Sequence, residues 1–407
     1  MQRVLVLGAG FAGLWSAIAA ARELDARGIG ADRIEILVID RRTVHSIRVR
    51  NYEVDLAATV IPLADVLDPV GVRHLAADIT DIDVANKTVT CEADGAPQTI
   101  QYDRLVLALG SRLSRPPIPG IDAAFDIDTY EAATKLQAHI QGLGQRPPSP
   151  GRAIALVVGA GLTGIEAACE LPGRLRAAFA GQNLAEAPLV VLADHQGQIG
   201  SDMGDGARAV IATALRSLGI EMRPGVSIAG VDPAGATLAT GERIAAETIL
   251  WCAGMQADPL AARFPAARDR FGRLPVDGHL RIAGQTAEFA AGDVAWLAID
   301  GTHPSVMSCQ HARPMGRYAG HNAVCDLLGE PMLSLAIDRY VTILDLGPWG
   351  AVYTEGWDRK VVAEGQAAKR TKELINRVRI YPPPNGDRRA ILDAGAPEIQ
   401  APPKRFA

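Results

Sequence analysis

Val4-Leu-Val-Leu-Gly-Ala-Gly-Phe-Ala-Gly-Leu14 runs four β-formers straight into three glycines, and an alanine-rich stretch from Ala17 to Ala21 follows. The pattern reads as strand, tight turn and helix. Gly8 permits the sharp turn, Gly10 lets a pyrophosphate approach the backbone, and Gly13 lets the helix lie close on the strand. The free N–H groups and positive dipole end of that helix face the phosphates. A second strand, Ile34-Glu-Ile-Leu-Val-Ile39, ends in Asp40, placed to accept hydrogen bonds from an adenosine ribose.

The pattern occurs again. Ile154-Ala-Leu-Val-Val-Gly-Ala-Gly-Leu-Thr-Gly-Ile-Glu166 supplies Gly159, Gly161 and Gly164, and the later strand Leu189-Val-Val-Leu-Ala193 ends in Asp194. Two such units in one chain imply two dinucleotides, one resident and one visiting. The expected fold class is α/β: two Rossmann-like dinucleotide-binding domains plus a smaller α+β C-terminal region. Two further strands end in glycine turns, Tyr102-Asp-Arg-Leu-Val-Leu-Ala-Leu-Gly-Ser111 at Gly110 and Thr248-Ile-Leu-Trp-Cys-Ala-Gly254 at Gly254. A third, Glu288-Phe-Ala-Ala-Gly-Asp-Val-Ala295, presents Asp293. Pro116, Pro117, Pro119 and Gly120 mark a crossover between units. The expected division is 1–115 for the first part of the resident-cofactor domain and 116–258 for the visiting-cofactor domain. Residues 259–330 complete the first domain, and 331–407 form the C-terminal region.

Composition narrows the class. The 407 residues are enough for two to three cores, and 48% hydrophobic with 21% charged residues is ordinary for a soluble enzyme. A net charge of −5 gives no reason to expect nucleic-acid binding. The five cysteines, Cys91, Cys169, Cys252, Cys309 and Cys325, show no close spacing, so neither a disulfide framework nor a metal site is expected. Residues 4–21 carry no charge, but three glycines interrupt them, and no other segment suggests a membrane span. A reducing, cytoplasmic setting follows, with peripheral contact at the inner face of a membrane as the most that is expected. A homodimer is compatible with this. Residues 359–389 hold nine Lys or Arg against three acids, a solvated basic face or a docking surface for an acidic partner or anionic lipid.

The ordered motifs resemble the two-dinucleotide-binding-domain flavoproteins, a group that includes disulfide reductases, ferredoxin reductases and type II NADH dehydrogenases. The resemblance covers about residues 1–330 and implies FAD held by the first domain and Asp293, with NAD(P)H held by the second. Disulfide reductases need two closely spaced cysteines beside the flavin, and no CxxC or CxxxxC exists here. Type II NADH dehydrogenases match best. Gly-Leu-Thr-Gly-Ile-Glu166 looks like their second motif, whose glutamate lies near nicotinamide and flavin. Ser308-Cys-Gln-His-Ala312 resembles their quinone-site segment, with Gln310 and Ala312 matching. Pro314-Met315 stand where that family has a glutamine pair, and a basic tail replaces its apolar anchor.

The resemblance implies hydride transfer from nicotinamide to flavin, then two electrons to a quinone or similar small acceptor, with orientation as the protein's main task. Asp194 favours NADH over NADPH, since an acid there repels a 2′-phosphate; Arg216 or Arg223 folding towards that edge would reverse this. Glu166 and Gln310 are the expected catalytic residues, together with His45. His45-Ser-Ile-Arg-Val-Arg-Asn-Tyr-Glu53 lies just past Asp40, and His45, Arg48 and Tyr52 are expected to shape a pocket for a polar or anionic acceptor. Cys309 is read as a buried small residue rather than a thiolate. Two alternatives stay open: a reductase feeding a small iron–sulfur protein, and a slow redox-sensing flavoprotein.

Overall fold

A computed structural model of the chain describes residues 1–182 and 187–403. The last four residues of the C-terminal region therefore lie outside the described residues. The strand Gln2–Leu7 sits in the middle of a five-stranded sheet ordered Glu288–Ala290, Arg104–Leu107, Gln2–Leu7, Ile34–Asp40, Arg73–Ala76. Every pairing in it is parallel. Unbroken Val, Ile and Leu runs suit strands covered on both faces. The register sets Leu7 opposite Ile39 and Leu107, so Gly8, Asp40 and Gly110 share one carboxyl edge. That edge is where open α/β sheets bind their ligands.

The second sheet repeats this plan. Its parallel strands run in the order Ile220–Pro224, Leu189–Asp194, Ile154–Val158, Thr248–Trp251. Val158 faces Ala193 and Trp251, which gathers Gly159, Asp194 and Cys252 at its carboxyl edge. Between the two sheets, Ser111–Leu113 pairs antiparallel with Met255–Ala257.

The helix Phe11–Ala26 crosses the helix Cys309–Leu328 at backbone contact. A Cβ on Gly316 would lie 2.3 Å from the Ala12 carbonyl oxygen, and one on Gly320 would lie 2.0 Å from that of Ser16. Only glycine allows this approach. The crossing fixes the start of the second helix, Ser308 to Gln310, beside the first glycine turn.

The C-terminal region folds inward. Its strands Val341–Asp345, Ala351–Glu355 and Lys360–Glu364 form an antiparallel sheet, followed by the helix Gly365–Leu374. Leu344, Leu346 and Val352 join the apolar core of the second unit. The basic stretch is thus only partly a solvated face: Lys372 is 8% exposed, and Lys369 is ion-paired to Asp345.

Candidate active site

A cavity of about 470 Å³ runs along the carboxyl edge of the first sheet, with Gly10, Asp40, Ser46, Gly110, Asp293 and Cys309 in its lining. Its floor is the first glycine turn. Gly8 has a φ of +97°, and a Cβ on Gly13 would stand 1.8 Å from the Gly8 carbonyl oxygen. Nothing lies within 4 Å of a Cβ on Gly10, so the backbone is bare on the cavity side. Asp40 is oriented by main-chain donors, the Ala9 N–H at 2.7 Å and the Arg42 N–H at 2.8 Å. Across the cavity the Ser111 hydroxyl donates to Asp293 at 2.7 Å, with the Arg48 guanidinium 3.9 Å away. Burial raises the Asp293 carboxyl above the ordinary range, and Arg48 opposes that shift.

A second cavity, about 550 Å³, adjoins the first and shares Arg48, Thr163, Ser308 and Cys309 with it. It lies where the second glycine helix, Leu162–Ala178, faces the Cys309–Leu328 helix and the C-terminal sheet. Glu166 lines it, and Lys372 donates to Glu166 Oε1 at 2.7 Å. The Asp345 N–H donates to the same oxygen at 3.0 Å. The Asp345 carboxylate accepts from Lys369 at 2.6 and 2.7 Å and from the Tyr52 hydroxyl at 3.2 Å. Two acids and two lysines thus form one buried, balanced network. Burial raises the Glu166 carboxyl against the pull of Lys372, while Glu166 and Asp345 keep the Lys372 ammonium protonated.

Gln310, on the first turn of its helix, lines this second cavity. Cys309 reaches both cavities, and burial raises its thiol, which disfavours a thiolate. His45 is placed differently from the expectation. It is fully buried, its Nδ1 lies 2.9 Å from the Ala9 carbonyl oxygen, and Phe11 meets its ring edge-on. It lines neither cavity and braces the first glycine turn from behind. Burial pushes it down to about 4, so the ring is neutral at neutral pH. Arg48 is also tied down, paired to Asp128 and donating to the Ser111 carbonyl oxygen at 3.2 Å. Tyr52 lines the second cavity but spends its hydroxyl on Asp345.

The second glycine turn copies the first. A Cβ on Gly164 would lie 1.7 Å from the Gly159 carbonyl oxygen, and Gly161 is open. Asp194 accepts from the Ala160 N–H at 2.5 Å and the Gln196 N–H at 2.7 Å, as Asp40 does from Ala9 and Arg42. Gly159, Gly161, Gly164 and Asp194 line neither cavity; nor does Gly254, whose chain neighbour Met255 lines the first. Arg223 is held by Glu221 at 2.5 Å and Glu242 at 3.0 Å, and Arg216 reaches Thr213 at 3.5 Å.

Three helices start at these cavities or turns without a side-chain cap, with Gly10, Gly161 and Ser308 at their N-cap positions. Their first N–H groups are available to anionic or carbonyl oxygens. Ser46 Oγ and Ser308 Oγ, both on residues lining the first cavity, are buried without a hydrogen-bond partner among the described residues. Bare glycine backbone, uncapped helix starts and orphaned hydroxyls fit an extended flavin dinucleotide. Sequence reading missed Lys372, Asp345 and Lys369. The i, i+3 spacing of the two lysines puts both on one helix face, a signal that a basic composition concealed.

Residues 2–316 match the family model described as pyridine nucleotide-disulphide oxidoreductase. A NADH dehydrogenase-like protein of Mycobacterium tuberculosis is 54% identical over 404 residues, 99% of this chain and 100% of that protein. The type II NADH:quinone oxidoreductase Ndh of the same species is 29% identical over 393 residues, covering 85% of this chain and 80% of that protein. Among solved structures, NDH2 from Plasmodium falciparum in complex with NADH superposes with a TM-score of 0.74 at 12% identity, covering 97% of each chain.

Proposed function

We propose that this chain, which belongs to the pyridine nucleotide-disulphide oxidoreductase family, is an FAD-dependent NADH dehydrogenase that delivers two electrons to a quinone or similar small acceptor. The balance is NADH + H⁺ + quinone → NAD⁺ + hydroquinone. The observation that carries the reading is the meeting of two cavities at Cys309 and Thr163, with the Glu166–Lys372 pair on the wall of the second. FAD, when bound, supplies the relay chemistry, taking a hydride from the nicotinamide and releasing two electrons to the acceptor.

The residues take the remaining tasks. N–H groups after Gly10 hold the FAD pyrophosphate, Asp40 its adenosine ribose, and Gly110 with Asp293 its flavin end. N–H groups after Gly161 hold the NADH pyrophosphate, and Asp194 repels a 2′-phosphate. Gln310 donates to the acceptor. Glu166 exchanges a proton beside the cavity, and Lys372 balances its charge in the ionised state. His45 acts through Ala9, keeping the turn in shape. Among the described residues no helix is long and apolar enough to cross a membrane. Val378, 62% exposed between Arg377 and Arg379, supports peripheral contact with an anionic membrane surface. Vesicle flotation tests that contact, and sedimentation tests a homodimer.

The experiment is a steady-state panel with NADH and NADPH against a naphthoquinone, a ferredoxin and a disulfide. The expected result is NADH-driven quinone reduction and little turnover of the other two acceptors. Disulfide turnover with silent quinone assays would overturn the reading.

A further inference from the structure

One wall of the second cavity carries positive charge that no carboxylate among the described residues pairs. Arg313 and Arg317 follow Gln310 at i+3 and i+7 on the Cys309–Leu328 helix, so the three share one face. From Gln310 to Arg317 the helix rises about 10 Å. Both arginines are deeply buried, 7% and 3% exposed. Their guanidinium carbons lie 4.5 and 4.4 Å from the centre of the Trp15 ring, within cation–π contact.

Cation–π contact leaves the N–H edges of a guanidinium to other partners. Here the edges are poorly used. Arg313 reaches the Gln400 side-chain oxygen at 3.3 Å, and Arg317 reaches the Glu398 carbonyl oxygen at 3.5 Å. Both Nε atoms are buried without a partner among the described residues. Burial pulls Arg313 down to about 9 and Arg317 to about 10; among the described residues no carboxylate counters the first shift, and exposed Glu398 alone counters the second. Both remain cationic at neutral pH. Buried cations without counter-ions are costly, and an arriving anion recovers that cost through charge-assisted, bidentate bonds. Arg379, half-buried at the same cavity, adds a third positive group, bonded to the Ala401 carbonyl oxygen at 2.6 Å. Residues 396–403 cross these arginines without regular secondary structure, so Gln400 can yield to a ligand without breaking a helix or strand.

We propose that this wall selects an acidic acceptor, a quinone-type molecule bearing a carboxylate or sulfonate. Its ring lies against Cys309 and Gln310, and its anionic group sits on the N–H edges of Arg313 and Arg317. Ile343, Ile375 and Ile380 supply apolar surface for the body between. Two electrons and two protons go to the ring oxygens, from NADH and one solvent proton, and the acid group is unchanged. The proposal rests on the reading of this chain as an NADH:acceptor oxidoreductase.

The test compares a neutral naphthoquinone with a naphthoquinone sulfonate on the holoenzyme. The expected KM for the sulfonate is lower by about tenfold or more, the scale of hydrogen bonds to a charged group. In the Arg313→Gln/Arg317→Gln variant the ratio of the two KM values falls towards one. A parent enzyme without preference for the sulfonate, or a ratio unmoved by the double substitution, overturns the proposal. Naphthoate, which is redox-inert, gives a readout needing no variant: it should compete with the acceptor about tenfold more strongly than naphthalenemethanol. Equal inhibition by the two also overturns it. If no quinone is reduced, the proposed function fails instead, and calorimetric binding of naphthoate against naphthalenemethanol still decides the arginine wall.

Discussion

Replacing Lys372 with methionine keeps an unbranched side chain, one atom shorter, and removes one charge from a balanced set, Glu166 and Asp345 against Lys369 and Lys372. Glu166, 7% exposed, is then left with the Asp345 N–H at 3.0 Å as its remaining donor among the described residues. Removing one member of a buried pair costs about 3–5 kcal/mol, because the survivor stays desolvated. Burial already raises the Glu166 carboxyl and Lys372 opposes the shift, so Lys372→Met should take up about one proton near neutral pH, each pKa unit being worth about 1.4 kcal/mol. Adding Glu166→Gln restores neutrality. The double variant should recover most of the loss, with a coupling energy of about 2–3 kcal/mol in a double-mutant cycle. Urea unfolding of the four proteins, followed by flavin fluorescence and far-ultraviolet dichroism, measures this. Acceptor reduction should slow by about 10²-fold in both single variants if the pair moves a proton. A Lys372→Met protein within about 1 kcal/mol of the parent, or a double variant no more stable than either single, would refute the argument.

Three further outcomes follow from the geometry. Gly320→Ala puts a methyl 2.0 Å from the Ser16 carbonyl oxygen, and should cost about 1–3 kcal/mol and lower the flavin content measured after denaturation. Asp194→Ser removes the acid at the second ribose edge and should narrow the KM gap between NADH and NADPH by about tenfold, read in steady state. Acid should destabilise the fold through His45 and His311, both fully buried and pushed down to about 4. Their folded values lie below the ordinary one, so the unfolded chain binds more protons between pH 6.5 and about 4. Stability is therefore present above that window and lost as pH falls through it, by up to about 3 kcal/mol per ring. Melting temperature against pH checks this, and an unchanged value from pH 7 to 5 would contradict it.

Both glycine turns, their strands and the paired acids were legible because each depends on a local pattern: a buried hydrophobic run, then glycines at fixed spacing. The role of His45 was not, because sequence places it near Asp40 but says nothing of which side of the turn its ring occupies. Lys369 and Lys372 read as part of a solvated basic tail because their partners, Asp345 and Glu166, are 24 and 206 residues away. Arg313 and Arg317 were concealed likewise, their approach to Trp15 being a contact between helices some 300 positions apart in sequence. Charge composition is visible in a sequence; which charges are buried together is a property of the tertiary packing.

Anaerobic titration of the purified chain with NADH tests the central claim most directly. One tightly held flavin per chain, bleached by one equivalent of NADH and restored by a quinone, is the expected result. A colourless protein that cannot be reconstituted with FAD, or a bound flavin that NADH leaves oxidised, would contradict it.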